Sequence, residues 1–328
     1  MNQVYPVAIS GLGAYIPEKV LTNFDLEKIV ETTDEWIRSR TGIRERHIAA
    51  KGQSASDLGA QASLAAIKDA GLTPADIDLI IVATVTPDML FPSTACNVQT
   101  KIGANCGAFD LAAACSGFPY ALSVAESFVR AGRHKNVLVV GSEVLSGFID
   151  WTDRSTCVLF GDGAGAAVVS RAKDGHGIVA TYLGSDGSQA DLLQIPGGGS
   201  KYPTSEETLK NRMHYLKMQG SEVFKVAVRT MDLAVRKVLE EGGLKLSDVD
   251  CLIPHQANMR ILQAVAERLE LPMEKVFVNV ERYGNMSSAS TIVALYEAVK
   301  TGKIKKGSKV VLVAFGGGLT WASALIRW

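Results

Sequence analysis

One pattern is written twice along this chain of 328 residues, and that duplication limits the folds open to it more than any other feature. Residues 65–72 followed by 76–81 read as the end of a helix, a glycine stop, a loop and a buried strand. Residues 235–244 followed by 248–253 read the same way. Gly71 and Gly243 stand 172 positions apart, and so do Asp76 and Asp248. Farther on, 137–140 matches 310–313 at a shift of 173, and 109–111 pairs with 278–280 at 169. Chance likeness of apolar strands is the weaker account, because order and spacing are both kept. The pattern predicts two copies of a β/α unit, 1–172 and 173–328, each with buried parallel sheet. The fold class is α/β, and a site is expected where equivalent loops of the two copies converge.

Composition enters as a check. With 47% hydrophobic and 21% charged residues, there is apolar material for a large core. Lys+Arg 34 against Asp+Glu 34 gives no sign of a dedicated nucleic-acid binder, although a local basic patch could still serve an acidic partner. The cysteines at 96, 106, 115, 157 and 251 form no CxxC pair and leave one over in any disulfide scheme, as free thiols in a reducing compartment would. No unbroken apolar stretch approaches the ~18–20 residues of a membrane span. The first six residues lack the basic start and apolar run of a signal peptide. A cytoplasmic protein without a membrane partner is expected.

Chemistry gathers at the predicted strand ends. Residues 107–111 read as a buried strand and 120–129 as a helix, so Cys115 falls where a strand turns into a helix. Unpaired N–H groups and the helix dipole there favour a thiolate and predict a lowered pKa. A buried, inert cysteine is the competing reading. In the second copy, Pro254-His255-Gln256-Ala257-Asn258 follows one apolar strand, and 283–290, with Asn285, follows another. Ligands in open α/β sheets collect at the carboxyl ends of strands. A lone His at a strand end is ordinarily structural, but a Cys, a His and an Asn on one such edge shift the balance. Gly161-Asp162-Gly163-Ala164-Gly165 runs into a strand instead of opening a helix, and Gly11-Leu12-Gly13 lacks a third glycine, so neither is a dinucleotide fingerprint. No phosphate-loop motif and no metal-ligand spacing occurs. Phe315-Gly316-Gly317-Gly318 either aims N–H groups at an oxyanion or forms only a tight turn.

These residues carry a resemblance. Ala114-Cys115-Ser116-Gly117-Phe118, His255-Gln256-Ala257-Asn258, Gly284-Asn285, Phe315-Gly316-Gly317-Gly318, the TGIRERH run at 41–47 and GDGAGAA at 161–167 resemble β-ketoacyl-acyl-carrier-protein synthase III. The likeness extends from about Gly11 to Trp328. It implies a thiolase-like fold, two pseudo-symmetric β/α halves in αβαβα layers. It also implies the condensation that initiates fatty acid synthesis, from a short acyl-CoA and malonyl-acyl carrier protein, with acyl-CoA as substrate and no cofactor. Cys115 would carry the acyl group, and His255 and Asn285 would donate to the enolate oxygen. Backbone N–H groups of Cys115 and of Gly316, Gly317 or Gly318 would hold the oxyanion. Trp36 and Arg154 match the family's adenine clasp, and Arg40, Gly220 and Asn258 match other CoA contacts. Gln256, Ala257, Asn258, Met259 and Arg260, with Lys225 nearby, match the carrier-protein docking segment. Phe91, Leu145, Phe160, Leu216 and Phe224 match the acyl-pocket floor, whose bulk suits a short primer such as acetyl. The resemblance implies a homodimer, in which Phe91 either crosses to the partner's pocket or belongs to local core.

Three alternatives stand beside this reading. A polyketide, longer-chain or branched-chain condensing synthase would share Cys, His and Asn and differ in its acyl pocket. A thiolase needs a second catalytic cysteine where this chain has Phe315-Gly316-Gly317-Gly318. A non-catalytic acyl-carrier-binding partner would lack the nucleophile. Of the remaining residues, Cys157 and Cys251 read as core, Cys96 and Cys106 flank the approach to the Cys115 strand, and His134 and His176 read as surface. Residues 148–154 read as a surface loop. The Gly- and Pro-rich segment 184–208 either caps an entrance or is a plain excursion.

Overall fold

The computed structural model describes residues 4–172 and 175–328; the boundary expected after 172 meets 173–174, which lie outside the described residues. The first sheet holds β1 (Val7–Tyr15), β2 (Leu79–Ala83), β3 (Gly107–Leu111), β4 (Asn136–Glu143) and β5 (Gly163–Arg171). Their order across the sheet is β1-β5-β4-β2-β3. β2 runs parallel to β3 and β4, while β5 is antiparallel to β4 and β1. The second sheet holds β6 (Gly177–Ser185), β7 (Cys251–Pro254), β8 (Lys309–Gly316) and β9 (Thr320–Arg327), in the order β7-β8-β9-β6. β7 and β8 are parallel, and β9 is antiparallel to β8 and β6. Position for position this is the first sheet's order, short of its outermost parallel strand.

The missing strand is the one expected at 278–280. Only a single bridge, Leu252 to Val276, extends the sheet there, and Val280–Tyr283 is a helical turn. The reason is a side chain. Gln256 Nε2 donates to Phe277 O (3.1 Å), and its Oε1 accepts the Asn279 N–H (3.0 Å), so an amide takes the place of a strand partner.

Seven helices of eight residues or more complete the described fold: α1 (Asp34–Thr41), α2 (Ala55–Asp69), α3 (Thr94–Ile102), α4 (Gly117–Arg130), α5 (Gly220–Glu241), α6 (Met259–Arg268) and α7 (Ser288–Lys300). A reciprocal cap between Ser54 and Asp57 starts α2, and Asn258 Oδ1 caps α6 through the Ile261 N–H. α2 and α3 cover the outer face of the first sheet, α5 and α6 that of the second, and α4 and α7 lie between the two. The result is the five-layered αβαβα arrangement of a thiolase-like fold. Strands covered on both faces read as apolar runs instead of alternating, which is why 137–140 and 310–313 were recognisable as pure Val/Leu. Phe118 and Leu122 of α4 and Ile292 and Leu295 of α7 form one buried cluster with Val137 and Val139 of one sheet and Ile253 and Leu312 of the other. Residues 148–154 are not wholly surface: Ile149 and Asp150 are buried, and Asp150 accepts a hydrogen bond from Arg212 Nε (2.7 Å).

Candidate active site

The first side chain is set by a turn. β3 ends at Leu111, and Ala114–Ser116 forms one 3-10 turn that runs directly into α4, so Cys115 stands at the head of that helix. Ala114 takes φ 46°, a left-handed conformation unusual outside glycine, which bends the chain sharply before the cysteine. Gly316, from the end of β8, lies against this turn: a Cβ there would sit 2.5 Å from the Cys115 backbone nitrogen.

His255 follows β7. Its N–H donates to Val313 O at 2.7 Å, extending the β7–β8 ladder by one bond, and the side chain is buried. Asn285 depends on the glycine before it. Gly284 has φ 64° and ψ −160°, and a Cβ there would meet Leu159 O at 2.8 Å. The Asn285 N–H then reaches Leu159 O (2.9 Å), and the Gly161 N–H reaches Asn285 O (3.0 Å). Asn285 Oδ1 accepts the Ser287 N–H at 2.8 Å, which leaves Nδ2 as the donor end of the carboxamide. Beneath this turn lies Arg46 of the TGIRERH run, fully buried and donating to Asn23 Oδ1 (2.8 Å) and Val158 O (2.6 Å). Asp162, of the GDGAG run, accepts from the Ala49 N–H and the Ser146 N–H and hydroxyl, so both motifs act locally as ties.

Cys115, His255 and Asn285 line one cavity of about 890 Å³, together with Ala112–Ala114, Ser287, Gly317 and Gly318. Burial pushes the Cys115 thiol up to about 12; the Ser287 side chain acts against this and the Glu143 carboxyl adds to it. This corrects the lowered pKa expected from the helix end. Burial also lowers His255 to about 3, so its imidazole is neutral. Its Nδ1 has no hydrogen-bond partner among the described residues.

The other expected site residues divide. Leu145, Phe160, Leu216 and Phe224 line the cavity, as do Arg40, Gly220, Lys225, Ala257, Asn258 and Arg260. Arg40, Lys225 and Arg260 bring positive charge, and no Asp or Glu is among the lining residues. Trp36 lies beside Arg40 rather than on the cavity wall, with the Arg40 and Arg154 guanidinium carbons 4.9 and 4.7 Å from its ring centre. At that spacing no third ring fits between Trp36 and Arg154, so a purine would have to displace the arginine, whose Nη1 donates to Glu31 O.

Two expectations need correction, those for Gln256 and Phe91. Gln256 is 1% exposed, and its amide is spent on Phe277 and Asn279, so it offers nothing to a docking protein. Met259 is half-buried and packs against Gly42 at the end of α1. Phe91 is 85% exposed, neither local core nor part of this chain's own cavity.

Sequence reasoning passed over part of the wall. The short strands Leu193–Gln194 and Lys217–Met218 pair, and Leu193, Ile195 and Met218 line the cavity, so the 184–208 segment does cover the site. The apolar Leu192-Leu193-Gln194-Ile195 inside that Gly-rich stretch was the available signal. Ser287 was also missed, as was Glu143, an acid closing the strand that carries the apolar run 137–140.

Comparison with known proteins agrees with this arrangement. Two family models match, 3-oxoacyl-[acyl-carrier-protein (ACP)] synthase III over residues 109–187 and its C-terminal counterpart over residues 239–328. The β-ketoacyl-[acyl-carrier-protein] synthase III of Caldanaerobacter subterraneus subsp. tengcongensis is 57% identical over 329 residues, covering 100% of this chain and 99% of that protein. The crystal structure of 3-oxoacyl-[acyl-carrier-protein] synthase III from Aquifex aeolicus VF5 matches with a TM-score of 0.91 at 51% identity, covering 98% of this chain and 100% of that one. The priming β-ketosynthase of the R1128 polyketide biosynthetic pathway matches with a TM-score of 0.92 at 36% identity, covering 99% and 97%. With likeness this high from end to end, and a cysteine, a histidine and an asparagine around one cavity, the chain belongs to the β-ketoacyl-[acyl-carrier-protein] synthase III family.

Proposed function

We propose that this chain, a condensing acyltransferase, joins the acyl group of a short acyl-CoA, acetyl-CoA above all, to malonyl-acyl carrier protein with loss of CO₂. The observation that carries this reading is the single cavity of about 890 Å³ onto which Cys115, His255 and Asn285 all open.

The chemistry follows from neutral groups. A thiol and a neutral imidazole meet the thioester. Cys115 sulfur attacks its carbonyl carbon while the S–H proton passes to His255, and the proton leaves with the CoA thiol. The Cys115 N–H, with backbone N–H groups from 316–318, holds the oxyanion. In the second half-reaction the malonyl C–CO₂ bond breaks and its electron pair becomes an enolate. Asn285 Nδ2–H and the His255 imidazole Nε2–H donate to the enolate oxygen. The carbanion attacks the acyl-Cys115 carbonyl, the C–S bond breaks with its electron pair on the Cys115 sulfur, a proton from solvent restores the thiol, and 3-oxoacyl-acyl carrier protein departs. Arg40, Lys225, Asn258 and Arg260 face the CoA and the acidic carrier, with Trp36 and Arg154 beside them and Gly220 leaving room. Leu145, Phe160, Leu216 and Phe224 bound the acyl group.

The same reading makes the chain cytoplasmic and a homodimer. In support, no helix among the described residues is long and apolar enough to cross a membrane. β3 is an edge strand, and Leu90 (82%) and Phe91 lie exposed on the surface. Matching strand orders support two halves divided near 172 and 173. A polyketide-type priming role is the second reading, supported by the likeness to the R1128 priming β-ketosynthase, and kcat/KM across a panel of acyl-CoA primers separates the two. The direct test is purified protein with acetyl-CoA and malonyl-acyl carrier protein. Mass spectrometry should find 3-oxoacyl product with the wild type, and Cys115→Ala should abolish it. Product formation at the normal rate by Cys115→Ala would overturn the nucleophile.

A further inference from the structure

Glu143 closes β4 with no solvent exposure, and the steps above do not use it. Three donors meet its Oε2: Thr86 Oγ1 at 2.7 Å, the Val85 N–H at 3.1 Å and Thr84 Oγ1 at 3.2 Å. Both hydroxyls have their hydrogen to give, because Thr86 Oγ1 itself accepts from the Val144 N–H and Thr84 Oγ1 from the Thr86 N–H. Its Oε1 faces the other copy, 2.8 Å from Ser288 Oγ and 3.4 Å from the Ser288 nitrogen. The same Ser288 Oγ lies 2.8 Å from Ala83 O. Two short oxygen–oxygen contacts need two hydrogens, and a serine hydroxyl brings one. Lone pairs left facing each other at that distance would repel. A proton on Glu143 Oε1 supplies the second hydrogen directly on this contact.

We propose that Glu143 is a neutral carboxylic acid that positions the turn carrying Asn285 and Ser287. Its O–H donates to Ser288 Oγ, whose O–H donates to Ala83 O, pinning the start of α7 to the ends of β2 and β4. Asn285 is held through the Ser287 N–H, one residue from this pin. A dry site also favours the uncharged form, and burial does push this carboxyl up. The lack of charge has a purpose beside a sulfur nucleophile, since a carboxylate at 143 would oppose loss of the Cys115 proton. This inference rests on the reading of Cys115 and Asn285 given above.

A glutamine can donate where the acid donates and accept at the other atom, but cannot become negative, so it separates a neutral anchor from a charged base. The infrared difference spectrum of wild type minus Glu143→Gln at neutral pH should contain the carbonyl stretch of a protonated carboxylic acid. Glu143→Gln should lower kcat by less than about tenfold, and Glu143→Ala by about a hundredfold, with the KM for acyl-CoA moved far less. Absence of the acid band, or a loss in Glu143→Gln as large as in Glu143→Ala, would overturn the proposal. Should Glu143→Ala fail to fold, the band and the Glu143→Gln rate decide. A folded wild type with no condensation defeats the functional reading, and the band still decides the proton.

Discussion

Cys115 and His255 illustrate how magnitudes choose between two sequence-level arguments. A helix end stabilises a nearby negative charge by about 0.3–1 kcal/mol, and up to about 2 in partly buried geometry. Burial raises the Cys115 thiol from 9.0 to about 12, which corresponds to about 4 kcal/mol at ~1.4 per pH unit, so desolvation wins. The position of the cysteine at a strand-to-helix turn was legible in 107–118. Its charge state was not, because that depends on how completely distant segments cover it. The sign of the consequence is definite. Below the thiol's pKa the thiolate fraction rises about tenfold per pH unit. Iodoacetamide inactivation of the free protein should therefore climb steadily from pH 6 to pH 9. A rate already level at pH 6 would instead mean a preformed thiolate–imidazolium pair.

At the level of elements, the turn before α7 is held by backbone geometry that few residues can adopt. At Gly284 an added methyl would meet Leu159 O at 2.8 Å, and φ 64° with ψ −160° is open to little besides glycine. Gly284→Ala should lower stability by about 1–3 kcal/mol and kcat with it, because Asn285 must move. Scanning calorimetry together with steady-state rates checks both, and a wild-type Tm with wild-type kcat would contradict the account. The repeat in the sequence located the paired strands because two-sided burial writes itself locally as Val and Leu. It erred at 278–280, where Val-Asn-Val alternates as a strand would. Nothing local reveals that Gln256, more than twenty positions earlier, supplies the hydrogen bonds. Leu193–Gln194 and Lys217–Met218 were hidden for a related reason: their pairing is non-local, and the surrounding glycines and prolines speak only for loop.

Across the whole molecule, totals conceal arrangement. A formal net charge of zero is compatible with a cavity lined by Arg40, Lys225 and Arg260 and by no carboxylate. Phe91 could be read from the sequence as apolar, but its exposure beside Leu90 and near an edge strand appears only in the assembled fold. If that surface joins two copies, Phe91→Asp should halve the mass measured by light scattering, whereas a wild type already monomeric at assay concentration would refute the dimer. The inner helices α4 and α7 have a further consequence. Phe118, Leu122, Ile292 and Leu295 have no inner or outer allegiance, since each is dry only while both sheets flank it. Neither sheet can shed this shared lining without stripping the other, so the two persist or melt together.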